Sequence, residues 1–214
     1  MLTKYLKKIA CGFALVAVFS ANAGSYDDFF VAIRNDNASN LADLIQRGFD
    51  PNTRDPKGQP GLTMALQERS PKAVKLLLSQ PTIDVNLLND AGESPLMMAA
   101  LKGDLPAAQA LLARGAKVDQ PGWSALHYAA AGPEPKLVQL LIDRGADLNA
   151  ASPNDTTPLM MAAQYGSEDS VNLLLARGAD VNRRNQKGLR AVDFARLSGR
   201  ESLVEELEGL TAPR

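Results

Sequence analysis

The sequence predicts an all-α solenoid, in which antiparallel helix pairs stack in one line and short β-hairpin or turn fingers join them. Three observations carry that prediction. A phrase of nine residues returns five times, a second phrase follows four of the five copies, and the spacing between copies is nearly constant. One such unit cannot bury its apolar faces alone, so neighbouring units must stack into a continuous elongated core.

The first phrase reads "GQPGLTMAL" (Gly58–Leu66), "GESPLMMAA" (Gly92–Ala100), "GWSALHYAA" (Gly122–Ala130), "DTTPLMMAA" (Asp155–Ala163) and "GLRAVDFAR" (Gly188–Arg196). Its aligned apolar positions, Leu62, Leu96, Leu126, Leu159 and Val192, are 34, 30, 33 and 33 residues apart. Each copy reads as the first helix of a pair. In Thr157-Pro158 the hydroxyl caps free N–H groups, and proline sits where no helical N–H is needed. Small pairs such as Ala99-Ala100 and Ala162-Ala163 let helices approach closely. The second phrase, "VKLLLSQPTIDVN", "AQALLARGAKVD", "VQLLIDRGADLN" and "VNLLLARGADVN", reads as the second helix and its exit. Its apolar residues fall at helical spacing, and a glycine such as Gly178 ends it in the left-handed conformation.

Both phrases resemble the ankyrin repeat, whose marks are T-P-L-H-x-A-A and L-L-x-x-G-A-D-V-N at a period of about 33 residues. The resemblance runs from about Tyr26 to Leu207 and implies one domain over 24–211. Within it fall an N-terminal cap (about 26–55), four repeats (about 56–90, 91–120, 121–151 and 152–184) and a C-terminal cap repeat (about 185–209), about six units in all. Two departures stand out. Helix-ending glycine to aligned apolar residue is 14 residues for Gly48–Leu62, Gly145–Leu159 and Gly178–Val192, but 11 for Gly115–Leu126. The finger "AKVDQPGW" should therefore leave a notch. "SQPTIDVN" has one extra residue and lacks the glycine.

Residues 1–23 read as a cleaved secretory signal: a basic start, "MLTKYLKK", an apolar run, "IACGFALVAVF", and a small-x-small site at Ala21–Ala23. Without Lys4, Lys7 and Lys8 the chain carries 20 basic and 24 acidic residues, a net charge of −4, and loses Cys11, its only cysteine. A chain without thiols suits an oxidising compartment, and the bacterial periplasm is the expected location. That balance offers no electrostatic footprint for nucleic acid, and after cleavage no membrane association is expected. The solenoid is expected to be a monomer.

The doubled "PLMMAA" raises a soft-metal reading, since thioethers suit Cu(I). On the repeat pattern Met97 and Met160 fall where the family has His, and Met98 and Met161 where it has Leu. Packed helices lie about 8–10 Å apart, whereas ligands to one ion must lie within about 2.5 Å of it. Core packing is therefore the expected role, with Met as gap-filler. His127, the only histidine, resembles the repeat's structural His, which bridges a helix start to a neighbouring turn. No nucleophile elbow, phosphate loop or zinc-protease helix is present. The carboxylates scatter through turns and the last helix. No catalytic residue, metal ligand or cofactor is expected.

The resemblance instead implies a non-enzymatic module that binds another protein along the finger tips and the exposed side of the first helices. Those places hold Lys57 and Gln59, then Gln67 and Glu68, then Glu93, Leu101 and Lys102, and finally Trp123, Thr156, Gln164 and Tyr165. Exposed Trp and Tyr are the common anchors of such surfaces. An immunity, inhibitor or accessory role toward an exported enzyme or toxin is the concrete expectation. A small-ligand or Cu(I)-handling protein is the alternative.

Overall fold

The structure, a computed structural model, describes residues 24–211; the signal-like segment 1–23 lies outside the described residues. A helix α1 over 24–34 is followed by α2 (Ala38–Gln46), α3 (Gly61–Gln67), α4 (Pro71–Ser79), α5 (Pro95–Lys102) and α6 (Leu105–Ala113). Then come α7 (Ala125–Ala131), α8 (Pro135–Asp143), α9 (Pro158–Tyr165), α10 (Glu168–Ala176), α11 (Ala191–Leu197) and α12 (Glu201–Thr211). Among the described residues there is no strand, only an isolated antiparallel bridge from Arg54 to Pro60 in the first finger. None of these helices is long and apolar enough to cross a membrane.

The first helices start as the sequence indicates. Ser94 Oγ accepts from Met97 N at 3.2 Å and Thr157 Oγ1 from Met160 N at 3.4 Å, with Pro95 and Pro158 at the first helical position. The second helices are capped by Asp104, whose carboxylate accepts from Ala107 N, and by Ser167, whose hydroxyl accepts from Ser170 N. These caps satisfy donors that the helix itself leaves free.

The helices form two rows. The odd row from α3 onward is short and rich in buried alanine (Ala99, Ala100, Ala129, Ala130, Ala162, Ala163, Ala195), so its members approach closely. The even row from α4 onward has nine residues or more per helix and is splayed. The stack therefore curves, with the odd helices and fingers on the concave side. On the convex side the splay opens an apolar groove of about 510 Å³ between α4 and α6.

The fingers between second and first helices hold 14 residues at 47–60, 144–157 and 177–190, 15 at 80–94, and 11 at 114–124. Three of the long fingers are tied by one side chain each. Asp55 Oδ1 accepts from Lys57 N and Gln59 N, Asn89 Oδ1 from Ala91 N and Glu93 N, and Asn185 Oδ1 from Lys187 N and Leu189 N, all within 3.0 Å. The tip then needs a left-handed residue, which is Gly58, Gly92 and Gly188 in three fingers and Asp155 at φ 62° in the fourth. The 114–124 finger keeps its left-handed glycine, Gly122 at φ 86°, but is shorter than the others, and this is the notch.

Neighbouring units are linked rung by rung. Asn52 Oδ1 accepts from Asp84 N, Asn86 Oδ1 from Lys117 N and Asn149 Oδ1 from Asp180 N, each at 2.8 Å. Asp119 takes the same place with Asp147 N at 3.2 Å. Where "SQPTIDVN" lacks its glycine, the next unit compensates: Arg114 donates to Leu78 O at 2.6 Å and Gln80 O at 2.9 Å, covering carbonyls at the end of α4.

Both ends of the stack are closed. Tyr26, Phe29, Phe30 and Phe49 form an aromatic cluster at the first end, with ring centroids 4.7–5.2 Å apart along the chain of contacts. At the other end Arg200 Nη1 donates to the carbonyls of Ala162, Ala163 and Gly166, at 3.0–3.1 Å. Arg196 bridges Asp193 and Glu208 there, tying α11 to α12.

Candidate functional site

The concave face carries one residue of each finger and the outward edge of each odd helix. Its left part, from the first finger to α7, is polar and connected. Gln59 Nε2 donates to Gln67 Oε1 at 2.8 Å, and Asn89 Nδ2 donates to Gln59 Oε1 at 3.1 Å and to Glu93 Oε2 at 2.8 Å. Tyr128 Oη donates to Glu93 Oε1 at 2.8 Å. Gln59, Gln67 and Glu93 were expected on this face. Asn89 and Tyr128, which join them into a chain across three units, were not, because their role depends on reach between residues about thirty positions apart. Burial, and then the Glu93 carboxylate, push the Tyr128 phenol above its usual range. The phenol stays protonated and keeps donating.

The right part is richer in apolar side chains. Trp123 comes out of the shortened finger, packs partly on the core, and meets His127 edge-on at a centroid distance of 5.2 Å. Two hollows flank it. One, of about 210 Å³, is walled by Leu101, Trp123, Tyr128, Ala131 and Met161. The other, of about 320 Å³, continues past Thr156, Gln164 and Tyr165 to Leu189 and Leu197. Tyr165 and Leu197 are the most exposed large apolar residues described, at 62% and 68%, and Leu101 stands at 36%. The structure thus brings Leu101, Trp123, Gln164 and Tyr165 together with Tyr128, Met161 and Leu197.

The other expected contacts are dispersed. Lys57 and Glu68 are exposed at the far-left edge, and Lys102 is half-buried at the end of α5. Thr156 is withdrawn: it is 3% exposed, and its carbonyl accepts from His127.

His127 is fully buried. Ser124 N donates to its Nδ1 at 3.1 Å, which leaves the proton on Nε2 to be donated to Thr156 O at 2.9 Å. Burial holds the imidazole below its ordinary 6.5, against a smaller opposing pull from the Thr156 carbonyl. Met97 and Met160 copy half of this bond set. Met97 Sδ accepts from Ser94 N at 3.3 Å and Met160 Sδ from Thr157 N at 3.4 Å, with both side chains 1% exposed. Among the described residues no group of three His, Cys, Asp or Glu side chains is arranged to hold a metal ion.

Stacked helix pairs, finger tips and an apolar strip on the concave side define a helix-pair repeat solenoid with a continuous lateral surface. The chain belongs to the ankyrin-repeat family: the pattern described as "Ankyrin repeats (3 copies)" matches residues 29–121 and 117–185. It is similar to mouse Ankyrin repeat and SAM domain-containing protein 6, with 34% identity over 124 residues, 56% of this chain and 14% of that protein. It is also similar to human Transient receptor potential cation channel subfamily A member 1, with 26% identity over 151 residues, 65% of this chain and 14% of that protein. The chain thus spans about a seventh of the length of these relatives. Among solved structures, it matches a chain from the complex of the Bd0816 predatory endopeptidase of Bdellovibrio bacteriovorus with immunity protein Bd3460. That match has a TM-score of 0.73 at 25% identity, and covers 85% of this chain and 97% of that one. Family and neighbour point to a binding protein rather than a catalyst.

Proposed function

We propose that this protein is a non-enzymatic binding partner of an exported enzyme, which it restrains as an immunity or inhibitor protein in the bacterial periplasm. The observation that carries the reading is the near-complete overlap with a chain of an endopeptidase–immunity complex, 97% of that chain at 25% identity. Three features support it. The N-terminal segment reads as an export signal, the polypeptide beyond it has no cysteine, and the concave face offers Trp123 and Tyr165 beside hollows large enough for partner side chains. Restraint needs no chemistry of its own, because a stable interface of ordinary size, about 1,600 Å², covers an active-site cleft by occupying its mouth.

The test is capture from periplasmic extract, supplemented with secreted proteins of toxin-producing neighbours, followed by titration of the captured enzyme. The expected result is one retained enzyme whose activity falls to a stoichiometric end point as the protein is added. Recovery of no partner under those conditions, or a partner whose activity is untouched, overturns the reading.

A further inference from the structure

The hollow between α5, α7 and α9 has mixed chemistry. Its walls, Leu101, Trp123, Tyr128, Ala131 and Met161, are apolar, and two of them present aromatic rings. Tyr128 links those walls to a charge: its ring lines the hollow, while its hydroxyl lies 2.8 Å from Glu93 Oε1. The carboxylate thus sits at the hydroxyl end of the same ring whose body lines the hollow. The other oxygen, Glu93 Oε2, is held by Asn89 Nδ2 at 2.8 Å, so the carboxylate is fixed before any partner approaches. Each of its oxygens still has acceptor capacity. Among the described residues the ion pairs use Asp43, Asp90, Asp143, Asp193 and Glu208, and none uses Glu93.

We infer that this hollow receives one arginine or lysine side chain of the partner protein. The inference rests on the reading of the concave face as a protein-binding surface and adds the chemistry of the group bound there. The methylene stem packs on Leu101 and Met161, as long cationic side chains do on apolar walls. The cationic head lies against the faces of Trp123 and Tyr128 and forms a charge-assisted hydrogen bond with Glu93. A neutral apolar side chain fills the walls equally well, but it covers the Glu93 carboxylate without compensating its charge, which is costly. An acidic side chain is repelled.

Trp123 is the chain's only tryptophan, so its emission reports on this hollow. Random short peptides free of tryptophan are selected by display on the full chain and then titrated against it by Trp123 fluorescence. The enriched peptides are expected to share an Arg or Lys, to alter Trp123 emission, and to bind Glu93→Gln about tenfold more weakly. Ala131→Leu, which fills the hollow and leaves the carboxylate alone, should weaken them as well. Thermal unfolding of both variants separates a lost pocket from a lost fold, and if one variant melts early the other carries the comparison. Peptides without a basic residue, emission that does not respond, equal affinity for Glu93→Gln, or a selection that enriches nothing each overturn the inference. An exported partner that binds Glu93→Gln as tightly as wild type also overturns it while leaving the proposed function standing. Basic peptides that meet every expectation, alongside failure to capture any partner, do the reverse.

Discussion

The N–H of the residue before each odd helix from α5 onward needs an acceptor, and four units answer with three kinds of side chain. Met97 and Met160 use sulfur, His127 uses Nδ1, and Asp193 Oδ2 accepts from Arg190 N at 2.8 Å. In the first unit the preceding residue is Pro60, which has no N–H, and Thr63 Oγ1 is buried without a partner. A buried hydroxyl lacking a bond costs about 1–3 kcal/mol, so Thr63→Val should stabilise the protein by about 1 kcal/mol in urea unfolding. At the third unit His127→Met keeps an acceptor for Ser124 N but leaves the Thr156 carbonyl short of one donor, a loss of about 1–2 kcal/mol. His127→Ala also opens a cavity and should cost about 3 kcal/mol. The imidazole also sets a pH dependence. Its folded pKa is depressed, so the unfolded chain takes up the proton first, and stability is full above pH 6.5 and is lost as the pH falls below that value toward the folded pKa. The urea midpoint of wild type should therefore drop between pH 7.5 and 5.0 by more than that of His127→Met. The sequence made the structural role of His127 legible through its place in the repeat. The use of sulfur as a cap acceptor was not legible, because periodicity marks a methionine as apolar and says nothing of its lone pairs.

Between the first helices of neighbouring units, close packing is fixed by glycine rather than by alanine alone. A Cβ at Gly166 would lie 2.1 Å from Ala130 O, and one at Gly132 would lie 2.7 Å from Ala100 O. Both residues have negative φ, so the constraint is space and not backbone conformation. Backbone atoms cannot move aside as a side chain can, and Gly166→Ala should force α9 away from α7 at a cost of about 3 kcal/mol. Thermal melting measures that loss, and a change below about 1 kcal/mol contradicts the close approach. Finger lengths were legible by counting from glycine to aligned leucine, and the 11-residue finger is where the count placed it. What the short finger does was not legible. Next to the shortened finger Trp123 packs on His127 and between two hollows, and that outcome depends on side-chain packing across units. The missing glycine of "SQPTIDVN" was visible too, whereas its replacement by Arg114 from the following unit was not.

Along the whole molecule the units differ more on the concave surface than in the core. Leucine and alanine repeat with the period, and the described aromatic residues are placed at the first end and around Trp123. The surface between them divides into a polar relay from Gln67 to Tyr128 and an apolar strip from Leu101 to Leu197. Most of the residues that make this surface were legible as positions in the repeat. Their division into two zones was not, since it arises from hydrogen bonds between units. The proposed function places a protein partner on this concave side. Crosslinking tests it most directly: a thiol-reactive photo-crosslinker is attached at Trp123→Cys or, on the convex side, at Lys75→Cys, each in a Cys11→Ser background that leaves no other thiol. With the captured partner present, a partner adduct should form from position 123 and not from position 75. An adduct from position 75 alone, or equal adducts from both, contradicts binding on the concave side.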